Sequence, residues 1–157
     1  AKVEQEREDT VLLIGGIGEL RDPLEQLIAE LGLKRTRLLG YIDDSDLASY
    51  YQVSDLFIMP SVALEGFGLS TLEALACGLP VLGTPIGGTP EILRQITPEF
   101  ILPRVDPDAI ASGILEHIAH LPDRALSLQV RSFAEGFDWE QIVDAVEELF
   151  LGLCRNK

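Results

Sequence analysis

The chain has 157 residues, 46% hydrophobic and 6% aromatic, with 12 Lys and Arg against 26 Asp and Glu, for a formal net charge of −14. That length suits one domain with its own core, while the acidity argues against general binding to nucleic acid or anionic membrane, since phosphate surfaces demand clustered cations. Two cysteines, Cys77 and Cys154, are too few for a disulfide scaffold, so a reduced cytoplasmic setting is expected; no apolar run reaches membrane-spanning length.

In chain order, Ala1 to Thr10 (AKVEQEREDT) has no initiator Met and reads as the tail of a charged helix or linker of something longer. Val11 to Ile14 is a short apolar strand running into Gly15-Gly16-Ile17-Gly18. Arg21 follows; Pro23 marks a first helical position, with Leu24, Leu27, Ile28 and Leu31 at helical spacing and Gly32 as the stop. Arg37 to Ile42 is a second strand. A helix over Leu47 to Val53 follows, with Asp or Ser as its N-cap. Leu56 to Met59 is the third strand, halted by Pro60. Leu69 to Cys77 forms a helix ended by Gly78, and Val81 to Gly83 is strand four. Thr89-Pro90 reads as an N-cap followed by Pro, opening a helix through Ile96. Phe100 to Leu102 is a fifth strand. Asp106-Pro107 repeats the cap-then-Pro signal before a helix to about Leu121, and Asp123 to Phe137 and Trp139 to about Leu153 are two more helices.

Strands alternate with helices, and each strand is a short continuous apolar run. This pattern predicts an α/β fold with a Rossmann-like, doubly wound parallel sheet covered on both faces. Ligands of such sheets sit beyond the carboxyl ends of the strands. Three glycine-rich turns follow strands here, after Ile14, Met59 and Gly83, and should lie on one edge.

The organising stretch is Pro60 to Ile92, PSVALEGFGLSTLEALACGLPVLGTPIGGTPEI. Gly66-Phe67-Gly68-Leu69 precedes a helix whose first-turn amides have no intrahelical partner. Small residues let a ligand approach those amides, and a helix start favours negative charge. Glu65 and Glu73 bracket this turn. A carboxylate repels a diphosphate but accepts two hydrogen bonds from vicinal hydroxyls, which assigns the pair to sugar diols on either side of a phosphate group. Taken alone, Glu73 reads first as an exposed helical Glu helped by the helix dipole, and Glu65 as a solvated loop residue. Gly16-Ile17-Gly18-Glu19-Leu20-Arg21 is a second phosphate-turn candidate; it departs from the dinucleotide Gly-x-Gly-x-x-Gly pattern because Arg21 holds the last position, and its plain alternative is a tight turn with a solvated Arg. Gly87-Gly88-Thr89 is a third. The Asp-x-Asp pairs at Asp44-Ser45-Asp46 and Asp106-Pro107-Asp108 stand at helix starts, where Asp caps, and are read as caps rather than metal ligands. His117 and His120 lack accompanying ligands, and Cys77 reads as a small buried residue.

Glu65 and Glu73, with seven residues between them in EGFGLSTLEALACGLPVLGTPIGGTPEIL, resemble the donor-site signature of retaining glycosyltransferases of the GT-B fold, family four. GIGELRDPLEQL is similar to that family's first phosphate turn, LLGYIDDSDLASYYQVSDLFIMPS to its base-binding segment, and FDWEQIVDAVEELF to its terminal Trp-containing helix. The resemblance covers nearly the whole chain. It implies that this is the carboxyl-terminal, donor-binding domain of a hexosyltransferase using a UDP- or GDP-sugar. Glu65 would bind hydroxyls of the transferred sugar, in the catalytic position. The amides of Phe67, Gly68, Leu69 and Ser70 would meet sugar and phosphate, Glu73 the ribose hydroxyls, Arg21 and Gly16 the diphosphate, and the backbone at Ile42 the base. It also implies catalysis without metal or cofactor, by positioning and by stabilising the leaving diphosphate.

The same resemblance implies absences. The amino-terminal domain that holds the acceptor (a sugar, a polyisoprenoid or another group) is missing, as are the first strand and helix of the donor domain with their phosphate-binding Arg/Lys pair. A cytoplasmic protein is expected, with any membrane contact made through the missing domain. The isolated chain should be inactive and at best a weak binder. Two other readings remain at this stage: a non-catalytic partner or regulatory module that kept the fold, and a nucleotide-sugar 2-epimerase.

Overall fold

A computed structural model describes residues 1–63 and 66–155. It is an α/β fold built on parallel strands. A short helix α1 (Lys2–Glu6) precedes β1 (Leu12–Gly15), α2 (Arg21–Glu30) and β2 (Thr36–Gly40). Then come α3 (Asp44–Val53), β3 (Phe57–Met59), α4 (Leu69–Ala76) and β4 (Val81–Gly83). After α5 (Thr89–Leu93) and a 3-10 turn at Pro98–Phe100, the chain forms α6 (Pro107–Ile118), α7 (Arg124–Ala134), a second 3-10 turn at Glu135–Phe137, and α8 (Trp139–Arg155).

The local chemistry explains the boundaries. Asp43, Asp106 and Asp123 cap α3, α6 and α7, their carboxylates accepting from Ser45 N, Ala109 N and both Ala125 N and Leu126 N. Asp106 belongs to the second Asp-x-Asp pair, but Asp43 lies just before the first, whose Asp44 and Asp46 fall inside α3 and do not cap it; Asp106 also pairs with Arg104 at 2.9 Å and Asp108 pairs with Lys2. Gly32 and Gly78 close α2 and α4 in the left-handed conformation. In each case the glycine amide and the next amide return to the last carbonyls of the helix: Gly32 to Ala29 and Leu33 to Ile28, Gly78 to Leu75 and Leu79 to Ala74.

Several expectations need correction, among them that α3 starts at Leu47, since it begins at Asp44. Helix α2 starts at Arg21, ahead of Pro23, which is tolerated because a first-turn residue needs no intrahelical N–H bond. Thr89 is not an N-cap but the first residue of α5; Gly88 precedes it in right-handed helical geometry, and the Thr89 hydroxyl is committed elsewhere. The fifth strand shrinks to one parallel bridge between Ile101 and Gly83, because Pro98–Phe100 winds into a 3-10 turn.

The main-chain ladder falls into two parallel pairs, β1 with β2 and β3 with β4, rather than one continuous sheet. Their surroundings differ. Strand β4 is buried on both sides. Val81 belongs to a cluster with Leu75, Ile92, Leu93 and Val130, and Leu82 belongs to another with Phe100 and Leu102, backed by Ile110 and Ile114 of α6. Strand β1, by contrast, leaves Leu12 at 47% and Leu13 at 39% exposure. The core therefore sits under α4, α5, α6 and α7, and the first strand pair stands at its margin. Helix α1 ties onto that pair through Glu4, which accepts from Lys34 N at 2.6 Å and Arg35 N at 3.1 Å. Helix α8 is exposed along its whole length, with a face of Trp139, Ile142, Val143, Val146 and Phe150. No helix among the described residues is long and apolar enough to cross a membrane.

Candidate functional site

The turn after β3 and the turn after β4 are built as one unit. Gly88 N donates to Gly66 O at 2.8 Å, and Thr71 and Thr89 share a buried hydroxyl–hydroxyl bond at 3.1 Å. Thr84, just past β4, donates from its amide to Met59 O at 3.1 Å and from its hydroxyl to Ser61 O at 2.6 Å. A side chain at Gly88 has no room: a Cβ there would lie 2.5 Å from Gly66 O and 2.7 Å from Phe67 O. Gly68, at φ +83°, is the N-cap of α4 and turns the chain into it, with its carbonyl accepting from Thr71 N and Leu72 N. Leu69 and Ser70 stand at the open amino end of α4, where first-turn amides face outward. Phe67 lies at 52% exposure with its ring 6.1 Å from that of Phe137, so it is not a core residue. Glu65 lies outside the described residues.

Glu73 is more than an exposed helical carboxylate. Its Oε2 accepts a hydrogen bond of 3.0 Å from the hydroxyl of Tyr51, in the last turn of α3. Tyr51 is 8% exposed, and its ring meets Phe57 edge-on at 5.5 Å. Burial, then the neighbouring Glu73 charge and the bond to it, hold the phenol well above its ordinary pKa. The native state therefore keeps this proton where an unfolded tyrosine, near 10, releases it. Its contribution is whole below about pH 10 and is lost as pH rises beyond it. Denaturant titrations at pH 8 and pH 11 should show lower stability at the higher pH, with a smaller loss in Tyr51→Phe.

The second assembly forms at the ends of β1 and β2. Gly16 N donates to Gly40 O at 2.7 Å, both glycines having positive φ. Arg21 folds back over this turn: its Nη1 would lie 3.2 Å from a Cβ at Gly40, while its Nε pairs with Glu25 at 3.0 Å. The Ile42 side chain closes over Gly15, where a Cβ would meet its Cδ1 at 2.6 Å. Gly16, Arg21 and Ile42 thus gather at one corner and Phe67, Gly68, Leu69 and Ser70 at another. Tyr51 reaches from α3, the helix between the two strand pairs, to Glu73. Sequence reasoning passed over Tyr51, Thr71 and Gly40. No local pattern marked Tyr51: a buried tyrosine hydroxyl requires a partner, and its partner Glu73 lies on another helix. His117 stacks on Phe100 at 4.0 Å, burial raises the Cys77 thiol, and no cluster of three His, Cys, Asp or Glu that could hold a metal exists among the described residues.

Parallel strands that end in glycine turns, each leading to a helix, define an α/β protein with its candidate ligand surface at the strand ends. The pattern of the glycosyl transferases group 1 family matches residues 1–125, and the chain belongs to that family. It is 37% identical over 111 residues to an uncharacterized glycosyltransferase of Methanocaldococcus jannaschii, covering 69% of this chain and 28% of that protein. Among solved structures it resembles the sucrose-phosphate synthase of Thermosynechococcus elongatus, with TM-score 0.78 and 30% identity over 93% of this chain and 39% of the other. It also shares the fold of Anabaena Alr3699/HepE, solved in complex with UDP, with TM-score 0.82 and 24% identity over 96% of this chain and 43% of that one. The chain spans well under half the length of the curated relatives it matches.

Proposed function

We propose that the chain is the donor-binding part of a retaining glycosyltransferase, a hexosyltransferase that takes a UDP- or GDP-sugar. The observation that carries this reading is the interlocked pair of turns at Gly68 and Gly88, which holds the start of α4 open beside Glu73. In this reading the amides at Gly68, Leu69 and Ser70 receive phosphate and sugar oxygens, and Glu73 accepts from the ribose hydroxyls. Arg21 and the Gly16 turn face the diphosphate, and the backbone at Ile42 meets the base. Glu65 takes hydroxyls of the transferred sugar. These groups act by position and by fixed dipoles aimed where the leaving diphosphate gains charge.

The acceptor is held by a further, amino-terminal domain of the parent protein. A strand supplied by that protein lies between the two strand pairs. The break in the ladder and the exposure of Leu12 and Leu13 support this placement. Arg21, the cation assigned here to the diphosphate, stands against a net charge of −14 and provides little attraction, so the isolated chain binds weakly and transfers nothing.

Calorimetry of the folded chain with UDP, GDP and their sugars tests the proposal. One nucleotide should bind, and Glu73→Ala should lower its affinity roughly 10- to 100-fold, the loss expected for hydrogen bonds to a charged group at ~1.5–3 kcal/mol. A folded sample that takes up neither nucleotide would sink the reading.

A further inference from the structure

A carboxylate that must meet two vicinal hydroxyls works best in one orientation, because each lone pair has a direction and an exposed Glu side chain otherwise samples many rotamers. Glu73 is exposed, yet one of its oxygens is tied down. The Tyr51 hydroxyl, 3.0 Å from Oε2, comes from a buried ring fixed by Phe57 and by the core cluster that contains Ala74 and Leu75. The anchor is thus rigid although the group it holds reaches the surface. An ionised carboxylate offers about four acceptor directions. The phenol uses one, leaving three for a diol that needs two. A buried phenol deprived of its acceptor would be costly, so the bond is under pressure to persist from both ends.

We propose that Tyr51 is a positioning residue for nucleotide binding: its hydroxyl fixes Oε2 of Glu73 so that the carboxylate presents one orientation to the ribose diol of the donor. This inference rests on the ribose role proposed above for Glu73. Tyr51 touches no substrate; it acts through Glu73.

Affinities of the 157-residue chain for UDP and for 2′,3′-dideoxy-UDP, which lacks both hydroxyls, separate this role from a structural one. The wild-type chain should prefer UDP. Tyr51→Phe should weaken UDP about 5- to 10-fold, in the range of one net hydrogen bond of ~1 kcal/mol or slightly more, and leave the dideoxy compound within about twofold. On a Glu73→Ala background the same substitution should cause no further loss of UDP affinity, as a double-mutant cycle requires of residues acting as a unit. If Tyr51→Phe weakens both nucleotides equally, or changes neither while Glu73→Ala abolishes the preference, the positioning role is wrong and the ribose site stands. If Glu73→Ala leaves the preference intact, the ribose assignment falls and the role of Tyr51 falls with it. Should Tyr51→Phe fail to fold, 3-fluorotyrosine at position 51 keeps the ring and the hydroxyl. Its fluorine resonance should move on addition of UDP and stay in place with the dideoxy compound; equal responses to both would overturn the proposal.

Discussion

Replacing Gly88 by Ala should collapse the site and destabilise the fold together. The new Cβ would press on the Gly66 and Phe67 carbonyl oxygens at 2.5 and 2.7 Å, and on Phe67 C at 2.9 Å. These are backbone atoms, so no rotamer change relieves the contact. The turn after β3 has to move, and the Gly88 N to Gly66 O bond stretches or breaks with it. Overpacking of this kind costs about 1–3 kcal/mol, and here a main-chain hydrogen bond goes too, so a loss of about 2 kcal/mol or more is expected. For a domain of this size that is a fall in Tm of roughly 4–8 °C. Backbone φ is not the cause, since Gly88 sits at φ −75°. Gly18→Ala is the matched control: nothing lies within 4 Å of its added carbon, and its stability should stay within about 0.5 kcal/mol of wild type. Thermal melts of the two variants, with UDP titrations on whichever folds, provide the readout. Equal Tm values for the two would show that the turns are not locked together.

Leu75→Ala should have the largest effect on stability. Leu75 is fully buried on the inner face of α4, beside Ala74 and Thr71, within the cluster that includes Val81, Leu93 and Val130. Helix α4 packs on α7 and against β3 and β4, so the space left by three lost carbon groups is walled by several elements and closes only in part. Truncations of this type cost about 2–5 kcal/mol, against a total of roughly 5–15 kcal/mol for a folded domain. Denaturant unfolding should show a lower midpoint with an unchanged slope. Because the same helix carries Glu73, UDP affinity should weaken as well, although Leu75 touches no ligand in the proposed site. A drop below about 1 kcal/mol would mean that α4 is not the helix on which the core is built.

How far the sequence could be read varied along the chain. Caps were legible because their chemistry is local: Asp106 before Pro107, and Gly32 and Gly78 after their helices, each act within a few residues. Thr89-Pro90 carried the same signal and misled. The hydroxyl found a buried partner in Thr71, eighteen positions away in sequence, and a tertiary contact replaced the local cap. The fifth strand misled for a related reason. Its apolar residues are buried as expected, but Phe100 and Leu102 earn their place through side-chain packing around Leu82, with one bridge in place of a ladder. Tyr51 gave no functional signal on its own, because its meaning depends on an acceptor in another helix.

By itself the sequence determined the alternation of strand and helix, the glycine turns at strand ends and the helix caps, since each depends on neighbours a few residues away and on apolar periodicity. Only the tertiary structure decided that the ladder divides into two strand pairs, that the turns at Gly68 and Gly88 interlock, and that Glu73 is held by a buried phenol. Those features arise from contacts between segments far apart in the chain, where main-chain and hydroxyl groups must find partners once water is excluded, and a one-dimensional pattern does not record which distant partner each one finds.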